Sequence, residues 1–121
     1  MVVVNVLYVG DRAVGFYSEG HAGYSVEGND ICCAGVSVLT QTAALGLAHH
    51  LGREPHYQLE DGWLRCELPD DLSESEKELA HIILNTMEIG LAAMQEAYPR
   101  NVKLITQIKP AGLGKEGYSD V

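Results

Sequence analysis

The sequence is poor in cysteine and in basic residues, and both shortages restrict what the protein can be. Its 121 residues hold three cysteines, two of them adjacent, an odd set that does not suit the disulfide framework of a small secreted domain. Eight Lys and Arg stand against 17 Asp and Glu, for a formal net charge of -9. We therefore expect reduced thiols, no direct binding to nucleic acid, and attraction toward a basic protein or peptide.

Two kinds of segment are also missing. No uninterrupted apolar run approaches the ~20 residues of a membrane-spanning helix, and we expect no membrane association. The N-terminus runs from Met1 straight into valines, without the basic region and small-residue cleavage site of a signal peptide. We predict a cytoplasmic protein with a single domain at residues 1–108 and a flexible C-terminal tail, bearing Pro and Gly, at 109–121.

Runs of β-prone residues separated by turn signals predict five strands. The second hairpin carries Asp61-Gly62 between its strands, which is the strongest short-range signal for this motif. The first hairpin turns at Gly10-Asp11-Arg12. Strands are predicted at residues 2–9, 13–19, 57–60, 63–68 and 102–108.

Two long helices are predicted between the strands. The first runs from Ile31 to about Leu51 and is apolar on nearly every face, with Asp30 in the position of an N-cap. The second follows the capping box Ser73-Glu74-Ser75-Glu76 and ends at Tyr98, before a proline. At ~1.5 Å per residue the second helix is long enough to cross a whole sheet.

The element order ββαββαβ predicts an α+β fold. We expect a two-layer sandwich with both long helices on one face of a mostly antiparallel sheet. One sheet face is too small to cover the apolar surface of the first helix. We therefore predict that a second copy of the chain covers part of that helix or an edge strand, as in a homodimer.

Cys33 and His21 are the candidate catalytic pair. A cysteine near the start of a helix is favoured as the reactive thiolate, because the helix dipole and its unpaired amides stabilise an anion. An imidazole on the glycine-rich loop upstream can accept the thiol proton, and backbone N–H groups at the helix start can stabilise an oxyanion. On composition alone, a buried inert cysteine and a solvated histidine are the alternative interpretation.

The residues around this pair carry a specific resemblance. The segment Gly20-His21-Ala22-Gly23-Tyr24, followed by Gly28-Asn29-Asp30-Ile31-Cys32-Cys33-Ala34-Gly35-Val36-Ser37, resembles the signature of the ribosomal-processing cysteine protease family. That signature has a Gly-His-Ala loop, then Gly-x-Asp-Ile-Val-Cys-Ala, and a serine four residues past the cysteine. The hairpins and the long second helix also resemble the family, so the likeness covers residues 1 to 108.

The resemblance implies roles for individual residues. Cys33 matches the nucleophile and His21 the general base and acid. Asp30 and Ser37 match supporting polar residues, although an N-cap and a helix serine can each be purely structural. A glycine-rich loop over the site would move to admit peptide, with pivots at Gly20, Gly23 and Gly28.

The resemblance also implies a substrate and an assembly. Such enzymes remove an N-terminal extension from large-ribosomal-subunit protein twenty-seven in bacteria, and they are homodimers. The expected substrate is therefore the basic N-terminal segment of a ribosomal protein. Separately, we expect the loop from Ala22 to Glu27 and the second hairpin to help choose it. No metal or other cofactor is predicted, because the cysteines and histidines lack the spacing of metal motifs.

One departure from the family keeps two other hypotheses open. Cys32 stands where the family has valine, and we expect it to pack inward, since adjacent helical side chains point about 100° apart. A thiol-redox sensor would use Cys33 with Cys32 or Cys66 as the resolving thiol. A non-catalytic ribosome-assembly protein would bind its partner through the acidic surface and keep its activity without Cys33.

Overall fold

The computed structural model describes residues 1–20, 29–60 and 63–109, apart from the side chains of residues 29, 30 and 109. Within these residues the elements follow the order ββαββαβ, which confirms the predicted α+β architecture. They are β1 Val2–Val9, β2 Arg12–Glu19, α1 Asn29–Leu51, β3 His56–Glu60, β4 Trp63–Glu67, α2 Glu74–Ala97 and β5 Val102–Lys109.

The sheet places the strands in the order β3-β4-β2-β1-β5. β1 pairs with β2 in the first hairpin and β3 with β4 in the second, and the two hairpins join through β2 and β4. All three pairings are antiparallel. β5 pairs with β1 in parallel, because the chain returns through α2 before it re-enters the sheet. The edge strands are therefore β3 on one side and β5 on the other.

One face of the sheet carries the core. Phe16 pairs with Val6 on one side and Cys66 on the other, and all three side chains are completely buried. Because directly paired residues share a face, this row and its neighbours lie under the helices. α2 packs across β2 and β5, while α1 packs chiefly against α2 and touches β1.

α1 differs in two ways from its sequence-based prediction. It begins at Asn29, so Asp30 lies within the helix and does not precede it as an N-cap. An 18-residue window within Ile31–Leu51 also has a mean hydropathy of 1.7, which by length and composition is enough to cross a membrane, whereas no segment of that kind was expected. In this fold the same helix packs against α2, and 33% of that window is buried inside the protein.

The predicted capping box fixes the start of α2. The Glu76 N–H donates to Ser73 Oγ at 3.2 Å, and the Ser73 N–H donates to Glu76 Oε1 at 2.9 Å. Two amide hydrogens at the helix start are thereby satisfied. The helix ends as predicted before Pro99, where the Tyr98 N–H donates to the Met94 carbonyl.

Glycines hold α1 and α2 close together, and one of them offers room for a methyl group. A Cβ at Gly46 would lie 3.8 Å from Ile83 Cγ2, an ordinary contact. Gly46→Ala is therefore expected to raise the free energy of unfolding by about 0.5–1 kcal/mol, because alanine favours the helix. Urea denaturation measures the change.

Gly15→Ala is the contrasting control for that substitution. A Cβ at Gly15, in the middle of the sheet, would lie 2.7 Å from the backbone oxygen of Cys66. We expect this variant to lose about 1–3 kcal/mol of stability, since the strands must separate. A Gly46→Ala variant that loses stability as Gly15→Ala does would contradict the packing described here.

Candidate active site

A cavity of about 110 Å³ opens between the first half of α1 and one end of the sheet. Ser18 and Leu64 are paired neighbours on the helix-facing side of β2 and β4, and they contribute to its floor. α1 supplies the opposite wall, which includes Cys33 and Ser37. The full lining is Val2, Ser18, Gly20, Cys33, Val36, Ser37, Thr40, Gln41, Leu59, Glu60, Trp63 and Leu64.

Cys33 is the half-buried thiol on this wall. It is preceded by Cys32, which is completely buried in the core, so the prediction that Cys32 packs inward is confirmed. Because α1 begins at Asn29, Cys33 lies just after the first helical turn and not within it. Helical Cβ atoms tilt toward the N-terminus, which directs the Cys33 side chain back toward the helix start.

The other predicted site residues have different positions relative to the cavity. Ser37 lies one turn after Cys33, is exposed, and lines the same wall. Gly20 also lines the cavity, at the end of β2, with a φ of +103°. His21, Gly23 and Gly28 lie outside the described residues, and Asp30 is described only as part of the α1 backbone.

Part of the lining was not predicted from the sequence. Thr40 is 1% exposed, and its hydroxyl donates to the Val36 carbonyl at 2.8 Å, so it shapes the wall from within. Gln41 is exposed and lines the same wall beside it. Their spacing from Cys33 along the helix, seven and eight residues, is the signal that could have identified them.

The expected role of the second hairpin agrees with this geometry. Leu59 and Glu60 end β3, and Trp63 and Leu64 begin β4, so the hairpin brings four lining residues to the cavity. Trp63 is half-buried, while Leu59 is 58% exposed. A lining that combines apolar side chains with the carboxylate of Glu60 suits a peptide that carries both apolar and basic side chains.

Cys66 lies elsewhere in the core and has the properties of an unreactive thiol. Burial, with a smaller contribution from the charge of Glu67, raises the pKa of Cys66 from 9.0 to about 12. At neutral pH it is therefore a protonated thiol, which is a poor nucleophile. This weighs against Cys66 as the resolving thiol of a redox sensor.

Removing Cys66 is expected to make the free energy of unfolding less dependent on pH in the alkaline range. Its pKa is raised to about 12 in the folded state, so its contribution to stability is complete below pH 9.0 and is lost as the pH rises toward 12. Over that window the free energy of unfolding should fall by about 1.4 kcal/mol per pH unit on its account. Urea denaturation of Cys66→Ala and the unmodified protein measures this, and parallel pH profiles would contradict it.

Comparison with known proteins gives one family and a consistent set of relatives. The family model described as cysteine protease Prp matches residues 1–103. The ribosomal processing cysteine protease Prp of Bacillus subtilis (strain 168) is 26% identical over 95 residues, which are 77% of this chain and 85% of that protein.

Two solved structures share the fold. The essential ribosomal processing protease Prp from S. aureus in complex with a substrate peptide superposes with a TM-score of 0.77 at 23% identity. The same protease with a covalently linked product peptide gives a TM-score of 0.73 at 24% identity. In each case the match covers 88% of this chain and 100% of the other.

Proposed function

This chain belongs to the cysteine protease Prp family, and we propose that it removes an N-terminal extension from a large-subunit ribosomal protein with Cys33 as its nucleophile. The observation that carries the proposal is the position of Cys33: a half-buried thiol near the start of α1, on the wall of a cavity open to solvent. Of the three cysteines, the other two are completely buried in the core. Cys33 is the one that a substrate can reach.

The proposed chemistry is acyl transfer in two stages. His21 takes the thiol proton, and the Cys33 sulfur attacks the scissile carbonyl carbon to form a tetrahedral oxyanion. When the oxyanion collapses, the C–N bond breaks and His21 gives its proton to the leaving amine. Water, deprotonated by His21, then attacks the thioester carbon, and the C–S bond breaks to release the new carboxylate and restore the thiol.

The relatives support a covalent route and a ribosomal substrate. The S. aureus protease has been solved with a covalently linked product peptide, which is in keeping with an acyl-enzyme mechanism. It and the Bacillus subtilis relative are both ribosomal processing proteases. The net charge of -9 suits a basic substrate, since opposite charge speeds the encounter between two proteins.

The proposal includes a homodimer in the cytoplasm. α1 leaves Ile31, Val38 and Leu45 more than half exposed at intervals of seven residues, and α2 does the same with Ile82 and Ile89. These positions form an apolar outer surface on the helical layer, and a second copy of the chain would cover it. Sedimentation velocity measures the oligomeric state, and a monomer would contradict this part.

The experiment is incubation of the purified protein with the full-length precursor of the ribosomal protein from the same organism. Mass spectrometry of the products is expected to find one cut that separates the N-terminal extension from the mature protein. The mature protein without its extension is the matched control and should remain intact. An uncut precursor would overturn the proposal and favour the non-catalytic binding protein.

A further inference from the structure

The open edge of β3 is a feature that the proposed reaction does not yet use. In the part of the chain that the structure describes, β3 ends the sheet on one side, and all five of its residues are exposed. Its register against β4 advances one residue at a time, from His56 paired with Glu67 to Glu60 paired with Trp63. The outer side of β3 is therefore a regular row of main-chain groups that faces away from the sheet.

The hairpin geometry identifies which groups face outward. Glu60 and Trp63 are paired across a two-residue connection, and a connection of this length closes on a hydrogen-bonded pair. Bonded and non-bonded pairs alternate along an antiparallel strand. Tyr57 and Leu59 lie an odd number of residues from Glu60 and therefore belong to non-bonded pairs. Their N–H and C=O groups point to the outer edge, and the two residues are about 7 Å apart along the strand.

The two edges of the sheet are not protected in the same way. β5 carries Lys103 and Lys109, and lysine on an edge strand is a common device against pairing with another chain. β3 reads His-Tyr-Gln-Leu-Glu, without lysine or proline. Among the described residues no strand pairs with the outer side of β3, and this edge is the one beside the cavity.

Continuity with the cavity indicates the occupant. Leu59 and Glu60 line the same cavity as Cys33, so a chain that follows β3 passes directly into the candidate active site. On the helix-facing side of β3, Tyr57 is 39% exposed and Leu59 58% exposed. They offer apolar contacts to alternate side chains of an extended peptide.

We propose that β3 binds the peptide substrate as an added strand, through the outward N–H and C=O groups of Tyr57 and Leu59. Residues on one side of the scissile bond pair with this edge, and the chain continues past Leu59 to Cys33. The inference rests on the proposed function, because it assigns a docking edge to the same cleavage reaction. Main-chain hydrogen bonds fix the register of the peptide, while the cavity selects among its side chains.

The first test uses the unmodified protease and a synthetic peptide that spans the cleaved junction. Single N-methyl groups are placed on successive peptide bonds, and kcat/KM is measured for each peptide. Pairing with β3 predicts a loss of about tenfold at every second residue on one side of the scissile bond, with smaller losses between. Losses without this alternation would overturn the proposal.

The second test changes the edge itself. Leu59→Pro removes an outward N–H that the β3–β4 ladder does not use, and proline is tolerated on edge strands in this position. We expect a loss of about tenfold in kcat/KM, whereas Leu59→Ala, which keeps the N–H, should lose less. Equal losses in the two variants would assign the effect to the side chain and overturn the proposal.

The outcomes separate this inference from the proposed function. If the unmodified peptide is not cut, the protease proposal fails first. If it is cut and the N-methyl losses do not alternate, only the added strand is wrong, and this result needs no variant to fold. If Leu59→Pro changes the sedimentation coefficient from dimer to monomer, the edge belongs to a second copy and the proposal is overturned.

Discussion

Cys33→Ala is expected to abolish cleavage of the precursor, with a loss of at least about 10,000-fold in kcat. The substitution removes the atom that forms the acyl-enzyme, and neither of the other thiols can replace it. Cys32 is completely buried, and Cys66 is buried with a pKa raised to about 12. The measurement is single-turnover cleavage with the cut position read by mass.

Cys32→Ala is the matched control for that result. It removes one sulfur from the adjacent position, whose side chain lies in the core and not in the cavity lining. We expect a loss of stability of about 1–2 kcal/mol from the small void, and cleavage within about threefold of the unmodified protein. If Cys32→Ala abolished cleavage and Cys33→Ala did not, the nucleophile would be wrongly assigned.

Gly20→Ala is expected to cost both stability and cleavage. The φ of +103° at Gly20 is a conformation that residues with a side chain rarely adopt. An added Cβ would also collide with the backbone carbonyl of Met1, which directly precedes β1. We expect a loss of about 2–4 kcal/mol in the free energy of unfolding.

The loss of cleavage follows from the place of Gly20 in the site. It lines the cavity and directly precedes His21 in the chain, so a displaced Gly20 changes both the cavity wall and the point from which the chain continues to His21. A fall of at least about tenfold in kcat/KM is expected at a temperature where the variant remains folded. Steady-state kinetics and thermal denaturation on the same preparation separate the two effects.

Gly52→Ala controls for the positive φ alone. Gly52 has a φ of +71° at the end of α1, and an added Cβ meets no atom of the described residues within 4 Å. It should lose about 1 kcal/mol from the left-handed conformation and keep its cleavage rate. A Gly20→Ala variant that behaves like Gly52→Ala would show that the crowding beside Met1 has no consequence for the site.

Local patterns in the sequence were enough to predict the elements and their order. Alternation and turn residues located the hairpins, and the capping box at Ser73 located the start of α2 within one residue. The pairing of β5 with β1 had no local signal, because parallel neighbours are brought together only when α2 packs across the sheet. The start of α1 was misplaced by two residues, since Asp30 resembled a cap.

The residues of the candidate site also fall into two groups: those with a signal in the local sequence and those that only the fold brings together. Cys33 and Ser37, which line the cavity, were predicted from a linear motif and from the chemistry of a thiol near a helix start. His21 was predicted in the same way and lies outside the described residues. Ser18 and Val2 also line the cavity, and nothing in their local sequence indicates a binding role. They reach the site because β2 pairs with β4, and this pairing of residues far apart in the chain places the first hairpin beside the second.

The most direct test of the account is capture of the acyl-enzyme. The protease is mixed with an activated ester of the N-terminal extension, quenched in acid, and mapped by tandem mass spectrometry. The account predicts the acyl group as a thioester on Cys33, absent from Cys32 and Cys66 and released by hydroxylamine. An acyl group on either other cysteine, or cleavage that proceeds with no covalent intermediate on the chain, would contradict it.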